Sequence, residues 1–369
     1  MKPHLTKKIN QVKEFYRLYT TGLNRKEVER LLKKDALEAF EYYKEKTSLR
    51  DKTLGTKSFK TTLRVVKEIF LSFLMQLTPG RRLFYGLSVV GFVLGFLWAK
   101  GLWVIGAFAI LNLLLALELA NKLTTRDELE IAREIQVSLQ PHKLPEIPGL
   151  SISSFSKPAK IVGGDFFNIV KRQDNQLLSI VGDVAGKGIP AALYAAHIQS
   201  MFESLSEQST SPVDIMRGLN KLICRRLREG DFITAVIAFF ESGQNSMTIA
   251  RAGHNWPLYY SAQTHTISSL KPPGVCLGVD MDMGFSACLQ EKTLSVKSGD
   301  VLLLYSDGVT EAMNSNNHLF DLPRLESALK ESAHFPADKI VAGINQRLDE
   351  FIQTEELHDD VTMVAIKVK

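Results

Sequence analysis

Residues 176–196 read QLLSIVGDVAGKGIPAALYAA, and the reading of this stretch decides the fold. QLLSIVGDV is apolar and β-rich, which predicts a strand. Asp183 stands at the end of that run, a glycine-rich turn follows, and a helix is expected from near Pro190. Outward from this point the same alternation recurs. LSISSFS, ITAVIAFF, MTIARAG, VLLLYSDG and VTMVAIKV are further β-rich runs beyond Leu150. Helical stretches are expected near Pro190–Gln208, Pro212–Arg228 and Leu322–Ser332. Strand pairs mixed with paired helices predict an α+β fold, a layered sandwich with helices outside.

Acids mark the strand ends. Asp165 sits in VGGDFF, Asp183 in SIVGDVAGKG, Asp307 in LLLYSDGVTEA, and Asp359 with Asp360 in HDDVTMVAI. One Asp-Gly pair alone marks a turn. Four acids in strand context predict carboxylates projecting from loops at the rim of a sheet, with glycines that let the backbone approach an ion. Phosphoester hydrolysis needs such a set. Two hard cations roughly 3.5–4 Å apart neutralise phosphoryl oxygens and acidify a water. Oxygen donors suit Mg²⁺ or Mn²⁺. No Cys, His or Ser arrangement points to a covalent nucleophile instead.

Seven ordered blocks carry a resemblance: AREIQVSLQP, PAKIVGGDFF, GDVAGKGIPAAL, ITAVIA, RAGHNWPL, LYSDGVTEAMN and DDVTMVAI. Over residues 127–368 the chain resembles the PPM family of metal-dependent protein phosphatases, in its bacterial RsbU/SpoIIE-like branch. The resemblance implies an αββα sandwich with a binuclear Mn²⁺ or Mg²⁺ site. It makes Asp165, Asp183, Asp307 and Asp359 metal ligands and catalytic residues, with the backbone carbonyl of Val184 beside them. Asp360 stands where eukaryotic relatives commonly have Asn, which implies a supporting role. A metal-activated water would attack phosphorus in line. The implied activity is protein serine/threonine phosphatase, and the implied substrate is a phosphoprotein, in this branch an anti-sigma-factor antagonist with a STAS domain. The sequence departs from the branch at Ala185 (often Ser), Phe167-Asn168 (often Tyr-Asp) and Asp321 (usually Gly after Leu-Phe). The arginine that clamps phosphate in eukaryotic relatives has no counterpart.

Other residues take plainer readings. His254 is expected in a structural turn and Lys187 in an exposed one; GKG lacks the spacing of a phosphate-binding P-loop. Two other functions are weighed. Gly163-Gly164-Asp165-Phe166 resembles a nucleotide cyclase signature, but no Glu follows. A degenerate phosphatase domain acting as a membrane scaffold for a phosphoprotein would have lost acids, and all four are present.

The remainder sets the context. The net charge is +5, with Lys and Arg concentrated in residues 1–82. No zinc-finger spacing or nucleic-acid motif accompanies that charge, so no nucleic-acid partner is expected. Cys224, Cys276 and Cys288 form no pair or cluster, which predicts reduced thiols rather than a disulfide framework or structural zinc. Residues 83–117 hold a single charge, Lys100, between two apolar runs of about 17 residues. Each run spans about 25 Å as a helix, against a hydrocarbon core of about 30 Å. Arg81 and Arg82 before and Lys122 and Arg126 after the runs favour a hairpin with both ends in the cytoplasm. The predicted organisation is a helical cytoplasmic region of unknown role over 1–80, a membrane hairpin over 83–117, a linker helix over 118–140 and a catalytic domain over 141–369. Leu119, Leu123, Ile131, Ile135 and Leu139 form an imperfect apolar seam that would pair two chains. The expected location is the bacterial cytoplasmic membrane, with the catalytic domain in the cytoplasm.

Overall fold

The structure, a computed structural model, describes residues 71, 74, 78–98, 101–141, 143–172, 175–279, 283–353 and 355–369. The helices expected at Val28–Tyr43 and Thr62–Met75 lie outside these residues, Leu71 and Leu74 excepted, as does Lys100. Internal contacts divide the chain into two units between Leu123 and Thr124.

The first unit contains helix α1 (Pro79–Leu97) and the first part of α2 (Gly101–Ser138). Pro79 opens α1, where a missing N–H goes unneeded. Ser88, Gly91 and Gly95 are the buried residues of α1. A Cβ on Gly95 would lie 2.7 Å from Val104 Cγ2 and 3.0 Å from Val104 N, so glycine is what allows this approach. Leu, Val and Phe side chains cover the outer surface of both helices. Asn112, a polar residue of α2, donates its side-chain N–H to the Phe108 carbonyl at 2.8 Å. Arg81 Nη1 pairs with Glu118 Oε2 at 2.6 Å. Both segments are long and apolar enough to cross a membrane.

Among the described residues the second unit holds ten strands: β1 (Leu150–Lys157), β2 (Phe166–Lys171), β3 (Gln176–Val184), β4 (Ile233–Glu241), β5 (Ser246–Ala252), β6 (Leu258–Ser261), β7 (Thr266–Ser269), β8 (Glu291–Ser295), β9 (Val301–Tyr305) and β10 (Val361–Val368). Its helices after α2 are α3 (Ile189–Gln208), α4 (Pro212–Ile223), α5 (Met283–Cys288), α6 (Asp307–Glu311), α7 (Asp321–Ser332) and α8 (Ala337–Ile352). One five-stranded sheet runs β1-β10-β9-β6-β7 and the other β2-β3-β4-β5-β8. Neighbours in both are antiparallel.

Period-two patterning explains the layers. In β10, Val361, Met363 and Ala365 join a core with α7 and α8, while Val364, Ile366 and Val368 join the core between the sheets. In β4, Ile233, Ala235 and Ile237 face α3 and α4, and Val236, Ala238 and Phe240 face the other sheet. Both strand faces are buried, so these strands read as unbroken apolar runs. The result is the expected αββα sandwich. Burying each Val, Ile, Met or Phe among them contributes about 1.5–3 kcal/mol.

Two details differ from the sequence reading. The helix expected to run to Arg228 ends at Ile223. Asp321 has φ of 60°, the left-handed region. That backbone explains the usual glycine there, and Asp is among the few side chains that tolerate it. Its Oδ1 accepts from Arg324 N at 3.2 Å.

Candidate active site

The acids meet at one rim of the sandwich. Asp183 pairs with Thr234 near the end of the β3–β4 ladder. Asp165 immediately precedes β2, Asp307 opens α6 directly after β9, and Asp359 with Asp360 lead into β10. Two inner strands of one sheet, β10 and β9, and the first two strands of the other, β2 and β3, thus deliver carboxylates to a common edge.

Their electrostatics show the crowding. Burial, and then the charges of Asp307, Asp359 and Asp360, push Asp183 up to about 7. Asp165 is pushed well above the usual carboxylate range by burial and by Asp183, with the Ser306 and Thr362 hydroxyls opposing. Asp307 is raised by burial and by Asp359. Asp165 Oδ2 is buried with no hydrogen-bond partner. An orphaned buried carboxylate oxygen among carboxylates that repel one another is a donor set suited to hard cations. The side chains are not drawn into a tight cage: among the described residues no three His, Cys, Asp or Glu close around one point.

Asp360 plays a different part. Its Oδ1 accepts from Ala159 N at 2.8 Å, and its Oδ2 from Gly164 N at 2.7 Å and Asp165 N at 3.3 Å. It therefore fixes the loop that carries Asp165. Gly163 packs so tightly on this carboxylate that a Cβ would collide with it. Gly308 meets the Asp360 carbonyl in the same way, so the Asp307-Gly308 pair is a close approach at a helix start and not a plain turn.

Lys187 adds to the sequence reading. Its Nζ lies 2.7 Å from Asp359 Oδ2 and 2.8 Å from the His358 carbonyl. It is half exposed, as expected, yet it belongs to the site. The turn allows this because Gly186 and Gly188, with φ of 97° and 82°, fold the backbone back toward Asp359. His254 matches its structural reading. It is buried, burial pushes it down to about 4, and its Nδ1 shares a 2.8 Å hydrogen bond with Thr234 Oγ1. A neutral His254 thus braces the strand opposite Asp183.

Two further residues escaped the sequence reading. Gln136 of α2 donates to the Gly163 carbonyl at 2.8 Å and accepts from Gly163 N at 3.2 Å. No local pattern announces a pairing across 27 residues. Glu311 follows Asp307 by one helical turn and is raised by burial and by Asp307 and Asp359. That four-residue spacing was legible.

Residues 173–369 match the family model described as Stage II sporulation protein E (SpoIIE). The chain belongs to the SpoIIE family. Phosphoserine phosphatase RsbU of Bacillus subtilis (strain 168) is 33% identical over 244 residues, covering 66% of this chain and 71% of RsbU. Among solved structures, the SiaA-PP2C domain of Pseudomonas aeruginosa superposes with a TM-score of 0.60 at 20% identity, covering 68% of this chain and 99% of that domain. The PP2C domain with a regulatory fragment of SpoIIE from Bacillus subtilis gives 0.52 at 14% identity, covering 61% and 64%. These likenesses extend the PP2C-like fold to this SpoIIE-family chain. It is a protein serine phosphatase of the RsbU/SpoIIE type. The family match contains Asp183, Asp307 and Asp359 and begins after Asp165.

Proposed function

We propose that this chain is a membrane-tethered, metal-dependent protein phosphatase of bacterial signalling, acting on phosphoserine or phosphothreonine of a partner protein. The observation that carries the metal dependence is the orphaned, buried Asp165 oxygen among carboxylates that raise one another's pKa. Asp165, Asp183, Asp307, Asp359 and the Val184 carbonyl would hold two Mn²⁺ or Mg²⁺ ions. When bound, the ions supply the positive charge that neutralises phosphoryl oxygens and acidifies water. The protein's own residues do the positioning. Asp360 locks the Asp165 loop, His254 and Thr234 brace the Asp183 strand, and Lys187 holds Asp359. By resemblance to the branch, the substrate is a phosphorylated anti-sigma-factor antagonist with a STAS domain.

Two helices of membrane-spanning length and apolarity support the tether. The Ile131 and Ile135 side chains, both 57% exposed on α2, support pairing of two linker helices. Leu119 and Leu123 of that seam lie outside the described side chains. The Gln136–Gly163 bonds support control through this linker, because they reach the loop that carries Asp165. Such control would shift an existing inactive–active equilibrium.

The full chain in detergent should release phosphate from p-nitrophenyl phosphate with Mn²⁺, lose that activity to a chelator and regain it with fresh Mn²⁺. No release from this ester or from phosphoproteins would favour the scaffold reading. Deleting residues 1–120 should change specific activity or oligomeric state. If neither changes, the linker has no regulatory role.

A further inference from the structure

One side of α2 packs on α1, and the opposite side carries a polar residue amid apolar ones. A Cβ on Gly95 would meet Val104, and one on Gly91 would lie 3.6 Å from Ala107 Cβ, so Val104 and Ala107 face α1. Ile110 and Leu114, both partly shielded, continue that row. Asn112 stands roughly 140° round the helix from Ala107, at about 100° per residue, so it points away from α1. It is exposed. Ile105, Phe108 and Leu115 fall within roughly 60° of it. They are 66%, 67% and 67% exposed.

The amide of Asn112 is only part satisfied. One side-chain N–H donates to the Phe108 carbonyl of its own helix at 2.8 Å. The second N–H and Oδ1 have no partner among the described residues. Hydrocarbon offers neither a donor nor an acceptor, so a free amide there is strongly disfavoured. Asn112 lies six residues, or about 9 Å, inside the Glu118 end of the apolar span. A side chain as short as asparagine does not reach the headgroups from that depth.

The neighbours of Asn112 say what kind of partner fits. Ile105, Phe108, Asn112 and Leu115 are spaced three, four and three apart, which is the a and d pattern of a heptad repeat. A β-branched residue at a with Leu at d favours two parallel strands, and a single Asn at a fixes their register and number. Membrane helices mostly pack with the crossing angle of soluble coiled coils. Two copies inserted in the same sense hold Asn112 at one depth, and across a two-fold axis each residue meets its own counterpart. An amide both donates and accepts, so two of them satisfy each other, which an acyl chain or an apolar helix does not. We propose that this face of α2 is the contact surface for a second copy of the chain within the bilayer, with Asn112 paired to Asn112 at its centre. The proposal rests on the membrane reading above and is distinct from the linker seam, which lies beyond the span.

The test uses the full chain with Cys224, Cys276 and Cys288 replaced by Ser, in vesicles of phosphatidylethanolamine and phosphatidylglycerol. Single cysteines are placed by Ile105→Cys, Phe108→Cys and Leu115→Cys on the outer face, and by Ala107→Cys and Ile110→Cys on the side toward α1. Oxidation should give covalent dimers from the outer set at several-fold higher yield than from the inner set. Lipid dilution of copies labelled at the C-terminus, read by energy transfer, then measures association. Asn112→Leu should weaken it about five- to thirtyfold, the span of about 1–2 kcal/mol for an interhelical polar bond in lipid. Leu is a better helix former than Asn, so the helix itself survives the change. Asn112→Gln keeps the amide and should keep most of the association. Equal cross-linking from the two sets, or association untouched by Asn112→Leu, would overturn the proposal and leave the membrane anchor standing. Extraction of the chain from the vesicles by alkaline carbonate would overturn the membrane reading and this one with it.

Discussion

Asp183→Asn is expected to cut turnover of every phosphate ester by more than about 100-fold, while making the metal-free protein more resistant to heat. The first figure follows from a comparison: losing only an outer partner of a metal ligand costs about 10–100-fold, and Asp183 is proposed as a ligand itself. The second follows from its acidity. The folded protein holds Asp183 at about 7, against an ordinary value of 3.8. A folded pKa above the unfolded one means the folded state keeps a proton that the unfolded chain releases. Stability therefore falls as pH rises from about 4 to about 7, and the loss is complete above that. Each pKa unit corresponds to about 1.4 kcal/mol, so removing the charge restores on the order of a few kcal/mol. Calorimetry in chelator should show the variant melting above the wild type at pH 8, with a smaller gap at pH 5. With Mn²⁺ the order should reverse, since the wild type gains more from the ion. Near-normal turnover at saturating Mn²⁺ would contradict the assignment, and so would a metal-free variant no more stable at pH 8.

Asp360→Ala is expected to damage the fold and the site together. The carboxylate accepts from three backbone N–H groups, of Ala159, Gly164 and Asp165. Hydrogen bonds to charged groups contribute about 1.5–3 kcal/mol each, and a buried donor left unpaired costs about 1–3 kcal/mol. Even with water reaching one donor, the loss should exceed about 3 kcal/mol. Urea unfolding should show a lower midpoint with an unchanged slope. Asp360→Asn keeps an accepting oxygen and should fall between the two. The Asp165 loop should loosen in both variants, seen as faster amide exchange over residues 159–165. Unaltered exchange there would remove Asp360 from its clamping role.

The sequence and the structure agree most where patterning was strongest. Strands buried on both faces announce themselves as apolar runs, and β3, β4, β9 and β10 were legible for that reason. The strand-end positions of Asp183, Asp307 and Asp359 were legible because each lies beside such a run. Short edge strands were not: β7 and β8 are half exposed and carry few apolar residues. Helix α8 was passed over although Ile340, Val341, Ile344 and Leu348 mark one face. The ion pair of Lys187 with Asp359 was not foreseen, because nothing local tells where two left-handed glycines will aim a lysine. Gln136 and Asp360 act on backbone groups distant in sequence, and such contacts leave no trace in spacing.

The clamp by Asp360 also sets when this protein can become an enzyme. Its bond to Ala159 closes a loop of 201 residues, and β10 pairs with β1 over a similar separation. Closing such a loop costs about 5 kcal/mol of chain entropy, and contacts this distant slow folding. At about 5–20 residues per second, the ribosome needs roughly 10–40 s to travel from Asp165 to Asp360. For that interval the growing chain carries Asp165, Asp183 and in time Asp307, with Gln136 but not Asp360 available to the Asp165 loop. With the ligand set proposed above, hydrolytic competence would therefore wait until residues 359 and 360 have been added.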